Sequence, residues 1–215
     1  MSKNLMLLLA ILIKVFILTL IPSINSDLGY YFDLAKQMVS GLMPYVDFKF
    51  EYPPLAIFPI WIPGIFKADR EGYILLYRFL FCCCDISFLI FFHQKFANHS
   101  FYKRFLIFYS IISLLLAPLL YDRLDLLFGF MLFGCLYFTR MKGVFWTLLG
   151  IPYKLITAIF LPFWALSFVK NKDFNRKDFF RWCLLPMGLL LGTFCILFNF
   201  KFLNFLGWCK KSCVN

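Results

Sequence analysis

Residues 5–24, LMLLLAILIKVFILTLIPSI, decide the fold class because they hold a single charge, Lys14. A helix of that length rises roughly 30 Å, the thickness of the hydrocarbon core of a bilayer. The apolar core of a cleaved signal peptide is shorter, about 7 to 15 residues, and precedes a small-residue cleavage site. Residues 22–26 match such a site poorly. We therefore expect an uncleaved membrane-spanning helix.

The composition extends this expectation to the whole chain. Hydrophobic residues make up 62% of the 215 residues and charged residues 15%, against roughly 45–50% and about 25% in soluble globular chains. No soluble fold of this size buries so much apolar surface. A water-soluble enzyme, a disordered regulator and a secreted disulfide scaffold are therefore excluded. We expect an all-α polytopic membrane protein with one integral membrane domain, residues 1–215.

Further apolar runs predict the rest of a bundle of roughly seven transmembrane helices. They are residues 73–92, 105–121, 126–138, 144–152, 155–169 and 182–200. We place the helix bundle at residues 79–200. Residues 25–78 carry acids, glycines and prolines instead, which predicts a long structured outer loop pressed against the bilayer.

Two elements are predicted inside that loop. One is a short helix that ends near Gly41, with four residues at helical spacing on one face: Tyr31, Leu34, Ala35 and Met38. The other, residues 53–66, is apolar but short and rich in proline, which predicts a surface-lying or re-entrant element.

The net charge of +11 follows the pattern expected of a membrane protein, so we predict no nucleic-acid partner. With the N-terminus in the cytoplasm, the inner segments hold eleven Lys and Arg and two acids, and the outer segments hold ten and eight. This asymmetry agrees with the positive-inside rule. We expect a multi-pass protein of the plasma or inner membrane with a cytoplasmic N-terminus.

Asp27 follows the first predicted span directly and has two interpretations. A carboxylate at the edge of the membrane can act as a general base on an attacking hydroxyl. An Asp is also a preferred N-cap, here for a helix that starts at Leu28. Both roles are compatible with one position.

Two further polar positions also leave alternatives open. Arg123 either pairs with the neighbouring Asp122 and Asp125, or lines an outward-facing pocket. In that pocket Arg123 holds a phosphate, and Asp125 holds a sugar hydroxyl or serves as a second carboxylate. Lys154 follows a glycine and a proline that break a helix, and it either meets an anionic group or extends to the interface.

The remaining charges and thiols indicate structural roles. Arg78 and Asp85 are two helical turns apart and share a face, so we expect each to find a partner within the bundle. The eight cysteines form no CxxC pair or other zinc pattern. We predict no metal site and no cofactor, and the sequence does not indicate a divalent metal.

Several short patterns, taken in order, resemble a known superfamily. Those in the outer loop are Asp27, Tyr31, Ala35, Gly41, Pro44-Tyr45 and Tyr52-Pro53-Pro54-Leu55. The later ones are Arg123-Leu124-Asp125 and Leu149-Gly150-x-x-x-Lys154 with Pro162. The arrangement, over roughly residues 27–164, resembles the GT-C membrane glycosyltransferases, and is most similar to the mannosyltransferases that use polyprenyl-phosphate mannose.

The resemblance implies transfer of mannose or another hexose from a polyprenyl-phosphate donor to a lipid or glycan acceptor. It implies that Asp27 is the catalytic base, with Asp33 as a competing acid. It also implies that residues 51–55 and Asp125 shape the sugar and acceptor pocket and that Lys154 lies near the phosphate. The implied substrate-binding residues are Tyr31, Asp33, Glu51, Tyr52, Arg123, Asp125 and Lys154.

A second function stays open. Members of that family are commonly much longer, so the chain is expected to be a short or truncated relative. Such a chain can keep the outer loop and lose the activity. The alternative to an enzyme is therefore a non-catalytic membrane protein or accessory subunit that binds a lipid-linked sugar.

Overall fold

The regular structure of the chain is helical. The computed structural model describes residues 2–23, 27–138, 140–171 and 176–198. Within these ranges the extended segments make an isolated bridge between Pro44 and Phe48 and form no strand. The all-α prediction is confirmed. Residues 24 and 199–200, at the ends of two predicted spans, lie outside the described residues.

Eleven α-helices are present in the described ranges. They are α1 (Lys3–Leu20), α2 (Asp27–Val39), α3 (Ile57–Gly64), α4 (Arg70–Phe96), α5 (Tyr102–Leu115), α6 (Ala117–Leu120), α7 (Asp125–Tyr137), α8 (Arg140–Gly150), α9 (Leu161–Asn171), α10 (Arg176–Phe179) and α11 (Leu185–Phe198). Short 3₁₀ turns precede α3 and α9, and a π-helical turn joins α10 to α11.

The chain forms two compact units. Unit 1 comprises Met1–Ala35 and Ile62–Leu127, and unit 2 comprises Lys36–Trp61 and Phe128–Asn215. The boundaries cut through α2, α3 and α7, so each of these helices belongs in part to both units.

Helices α1 and α4 of unit 1 run antiparallel. Three polar contacts join them along their length: Lys3 Nζ donates to Asn98 Oδ1 at 2.8 Å, Lys14 Nζ lies 3.0 Å from Asp85 Oδ2, and Arg78 Nη2 donates to the Ile21 carbonyl at 2.7 Å. Helix α5 returns beside α1, where Ser113 bonds Lys14. The predicted partners of Arg78 and Asp85 within the bundle are thereby identified.

Two helices are long and apolar enough to cross a membrane, α1 with 18 residues and α4 with 27, in the part of the chain that the structure describes. Helix α4 begins at Arg70, inside the segment predicted to be the outer loop. The reason is an N-cap, in which Asp69 Oδ1 accepts a hydrogen bond from the Gly72 amide at 2.9 Å. The polar residues at this end belong to the first turn of a long helix.

The short helix predicted in the outer loop is α2. The four residues predicted to share a face, Tyr31, Leu34, Ala35 and Met38, are all buried. The chain leaves the helix at Gly41, whose φ of 93° lies in the left-handed region that glycine adopts without a steric penalty. This element is confirmed in its position, its face and its end.

Helices α8 and α9 of unit 2 pack through small residues. Gly143 of α8 contacts the indole of Trp164 in α9, and a side chain at position 143 would overlap that ring. Trp164 Nε1 donates to Thr147 Oγ1 at 3.0 Å. Small residues that let neighbouring helices approach closely, with a hydrogen bond between them, are typical of helix contacts in membranes.

Candidate functional site

Asp27 and Arg123 come together at the first turn of α2. Asp27 is the first residue of that helix, where a carboxylate interacts favourably with the helix dipole. Arg123 lies in the turn between α6 and α7, and its Nε is 3.8 Å from Asp27 Oδ2. The two side chains are 40% and 51% exposed. The result is an ion pair that a solute can reach.

Arg70, at the start of α4, approaches the same turn of α2. Its guanidinium contacts Gly29, and a Cβ at position 29 would overlap it. Arg70 is not among the site residues predicted from the sequence. The available signal was Gly29 itself, because a glycine lets another group approach the backbone closely. Two guanidinium groups therefore lie beside the turn that begins with Asp27.

Asp122 faces away from this group, into the interior of unit 1. Its Oδ1 lies 3.3 Å from Arg78 Nε, and its Oδ2 accepts a hydrogen bond from Ser23 Oγ at 2.7 Å. Arg78 also donates to two carbonyls in the last turn of α1. Of the two acids predicted to pair with Arg123, Asp122 is fully buried and pairs with Arg78 instead. The exposed Arg123 pairs with Asp27.

The other unit 1 residues predicted to bind substrate differ in exposure. Tyr31 is buried, and its ring centroid lies 5.5 Å from that of Tyr77. Asp33 and Asp125 are exposed, and Asp125 is the first residue of α7. Of the two acids of α2, Asp27 is the one that forms the ion pair with Arg123.

The two unit 2 patterns of the resemblance are joined by a backbone hydrogen bond. The Leu55 amide donates to the Pro152 carbonyl at 2.8 Å, which fixes residues 52–55 against the turn after α8. Next to them, Glu51 is exposed and pairs with Lys49 at 2.7 Å. These patterns, nearly one hundred residues apart in the sequence, therefore form one local structure.

Tyr52 is held by its backbone. The buried Tyr45 hydroxyl donates to the Tyr52 carbonyl at 2.6 Å, and burial raises the pKa of Tyr45 well above its ordinary value. The Tyr52 ring is half-buried and packs edge-on against Phe50, with centroids 5.8 Å apart. Because this hydrogen bond fixes the backbone of Tyr52, its partly exposed ring is in a position to contact a sugar.

Lys154 lies in extended backbone between α8 and the following 3₁₀ turn. It is exposed, and its ammonium lies 5.1 Å from the ring centroid of Phe128. That distance is within the range of a cation–π interaction. The break after Gly150 thus presents a cation at the surface of unit 2. This position is compatible with contact to an anionic group and with extension to the membrane interface.

The chemistry available differs between the units. Unit 1 supplies an exposed carboxylate with two guanidinium groups, which suits proton transfer beside an anionic phosphate. Unit 2 supplies Lys154, Glu51 and Tyr52. Within the described ranges, no group of three or more His, Cys, Asp or Glu side chains is placed to hold a metal ion.

Comparison of the chain with protein-family models, with curated proteins and with solved structures gives no match.

Proposed function

We propose that the chain is an integral membrane glycosyltransferase. It moves mannose or another hexose from a polyprenyl-phosphate donor to an acceptor hydroxyl on the non-cytoplasmic face. The observation that carries this proposal is the charge group at the first turn of α2, where Asp27 lies 3.8 Å from Arg123 and Arg70 contacts Gly29. A base beside two cations at one exposed turn suits sugar transfer from a phosphate ester.

In the proposed reaction, Asp27 takes the proton of the acceptor hydroxyl as its oxygen attacks the anomeric carbon. The bond from that carbon to the phosphate oxygen breaks, and the electron pair leaves with the polyprenyl phosphate. Arg70 and Arg123 stabilise the negative charge that builds on the phosphate. Attack opposite the leaving group inverts the anomeric centre.

The membrane setting supports a donor with a long hydrocarbon tail. Helices α1 and α4 have the length and composition of spans, and Asp27 follows α1 in the chain after a short connection. In our proposal the shorter apolar helices complete a bundle of roughly seven spans, with the N-terminus in the cytoplasm. The headgroup of the donor then meets the charge group at the outer surface.

Unit 2 supports the same function with its own residues. The bond from the Leu55 amide to the Pro152 carbonyl holds residues 52–55 beside the turn that carries Lys154. We propose that Glu51 and Tyr52 contact the sugar or the acceptor and that Lys154 contacts an anionic group of the donor. Each role uses a side chain that is at least partly exposed.

The test is sugar transfer by the purified full chain. The protein in detergent is supplied with a panel of polyprenyl-phosphate sugars, and transfer or hydrolysis is followed. We expect Asp27→Asn to abolish turnover and Asp33→Asn, a matched acid of the same helix, to retain it. A folded protein that uses no donor, or an Asp27→Asn variant as active as the parent, overturns the proposal.

A second candidate is a non-catalytic protein that binds a lipid-linked sugar. The ion pair between Asp27 and Arg123 favours this binding function. A carboxylate that is paired with a guanidinium has a fixed position and can orient a bound ligand. This candidate predicts saturable binding of a polyprenyl-phosphate sugar with no release of the sugar. The same panel of donors distinguishes the two functions.

A further inference from the structure

In the described part of unit 1, one end carries positive charge without compensating acids. It consists of the start of α1, the last turn of α4, the first turn of α5 and the connection between α4 and α5. Its exposed basic residues are Lys3, Lys95, Lys103 and Arg104. No Asp or Glu occurs in residues 2–23 or in residues 86–121. The nearest carboxylate on α4, Asp85, is fully buried and paired with Lys14.

The two helix ends on either side of this connection are held together by side-chain contacts. His93 Nδ1 and the Tyr102 hydroxyl are 2.6 Å apart, and the rings of Phe92 and Phe105 stack with centroids 3.8 Å apart. Lys3 Nζ donates to Asn98 Oδ1, which ties the start of α1 to the same connection. Asn98 is neutral, so the positive charge of Lys3 remains.

The cations lie at the ends of helices whose exposed faces are apolar. Leu8 and Leu12 of α1 and Ile107 and Phe108 of α5 are exposed, as is Phe101 beside the connection. Lys3 is eleven residues, roughly 16 Å, along α1 from the buried Lys14. A ligand that joins an anionic headgroup to hydrocarbon chains matches both features, whereas a soluble anion matches the charge alone.

We propose that this end of unit 1 binds the anionic headgroups of membrane phospholipids. Lys103 and Arg104 contact the headgroup phosphate, and Phe101, Ile107 and Phe108 contact the acyl chains. Near an anionic membrane each basic side chain strengthens attraction roughly fivefold. The proposal is independent of the glycosyltransferase activity, since it uses no residue of that site.

The test compares lipid binding by variants of the full chain in detergent. Phosphatidylglycerol and phosphatidylcholine of equal chain length are titrated, and bound lipid is counted by native mass spectrometry. We expect tighter binding of phosphatidylglycerol, and roughly five- to twenty-five-fold weaker binding in Lys103→Gln/Arg104→Gln. The control variant Lys36→Gln/Lys67→Gln removes two exposed cations elsewhere and is expected to bind like the parent.

Three outcomes overturn the proposal. The first is equal affinity for the two lipids, and the second is an equal loss of affinity in the control variant. The third is competition by glycerol phosphate or by an oligonucleotide at concentrations similar to those of the lipid, which would indicate a general anion site. Thermal unfolding of each variant in detergent confirms that the compared proteins are folded.

Discussion

The ammonium of Lys14 lies 3.0 Å from the carboxylate of Asp85, and both side chains are fully buried. Asp85 accepts further hydrogen bonds from Tyr109 at 2.6 Å and from Tyr121 at 2.9 Å. Lys14 also bonds Ser113. Each buried charge therefore has an opposite charge and additional hydrogen bonds, which is the condition under which an ion pair is tolerated in an apolar interior.

We predict that removing one partner of this pair is far worse than removing both. Lys14→Met or Asp85→Asn alone is expected to lower the free energy of unfolding by about 3–5 kcal/mol, because an unpaired charge or a distorted network remains. Lys14→Met/Asp85→Asn leaves no charge and keeps an acceptor for the tyrosines. Unfolding in detergent measures the three variants, and a double variant with the summed loss of the single ones would contradict the prediction.

A second prediction concerns the contact of Arg70 with Gly29. Gly29→Ala places a methyl group where the guanidinium lies, so Arg70 must move away from the first turn of α2. Alanine is more favourable than glycine in a helix by about 1 kcal/mol. This gain offsets part of any loss of protein stability in Gly29→Ala. We expect donor binding to weaken roughly tenfold, or about 1.4 kcal/mol.

The control for that experiment is Gly129→Ala. Gly129 also lies in a helix, but a Cβ there meets no atom within 4 Å. Binding of the donor is measured by competition with a labelled polyprenyl phosphate. If Gly29→Ala binds as tightly as Gly129→Ala, then Arg70 does not contribute to donor binding.

The third prediction concerns Lys154. Lys154→Gln is expected to weaken donor binding roughly tenfold, and Lys154→Arg to retain it, because the positive charge at the break after Gly150 is kept. Its exposure predicts a change in the free energy of unfolding within about 0.5 kcal/mol. Lys142→Gln, an exposed lysine of the same unit, is the control. Equal binding by Lys154→Gln and Lys142→Gln would favour a lysine that only reaches the interface.

The fourth prediction is a pH dependence from Tyr45. Burial raises the pKa of its hydroxyl, so the folded chain holds this proton more tightly than the unfolded chain, whose tyrosine titrates near pH 10. The stabilisation is complete below about pH 10 and decreases at higher pH. Tyr45→Phe loses the bond to the Tyr52 carbonyl, about 1 kcal/mol, and lacks this dependence.

The pH dependence predicted for Tyr45 is tested by chemical unfolding, with tryptophan fluorescence as the signal. The difference in free energy of unfolding between the parent and Tyr45→Phe is expected to be constant from pH 7 to about pH 9 and to shrink above about pH 10. Comparison with Tyr45→Phe removes the contribution of the other tyrosines and the lysines. A constant difference up to about pH 11 would rule out Tyr45 as the source.

Local periodicity was sufficient to predict part of the fold. Helix α2 was predicted from four apolar residues at helical spacing, and each of them is buried. The start of α4 was not predicted, because the acids at its first turn resemble a loop in composition. Its N-cap depends on a single bond from the Gly72 amide to Asp69, and no hydrophobic pattern reports such a bond.

The site shows the limit of sequence reasoning more clearly. Asp27 was selected by its position after an apolar run, and the structure adds its partner Arg123. Proximity in sequence favoured Asp122 and Asp125 as partners of Arg123, but Asp122 is buried against Arg78 and Arg123 pairs with Asp27. The contact of Arg70 with Gly29 depends on how α4 packs against α2 in unit 1, which a single sequence does not encode locally.

The buried lysine of α1 has a consequence for how the chain is made. Ribosomes synthesise α1 before α4, and Asp85 emerges 71 residues after Lys14. Until then Lys14 has no carboxylate beside it, and a lone ammonium in lipid is unfavourable. Nascent α1 is therefore expected to wait at the insertion machinery or near the headgroups, and to settle at full depth only when α4 arrives.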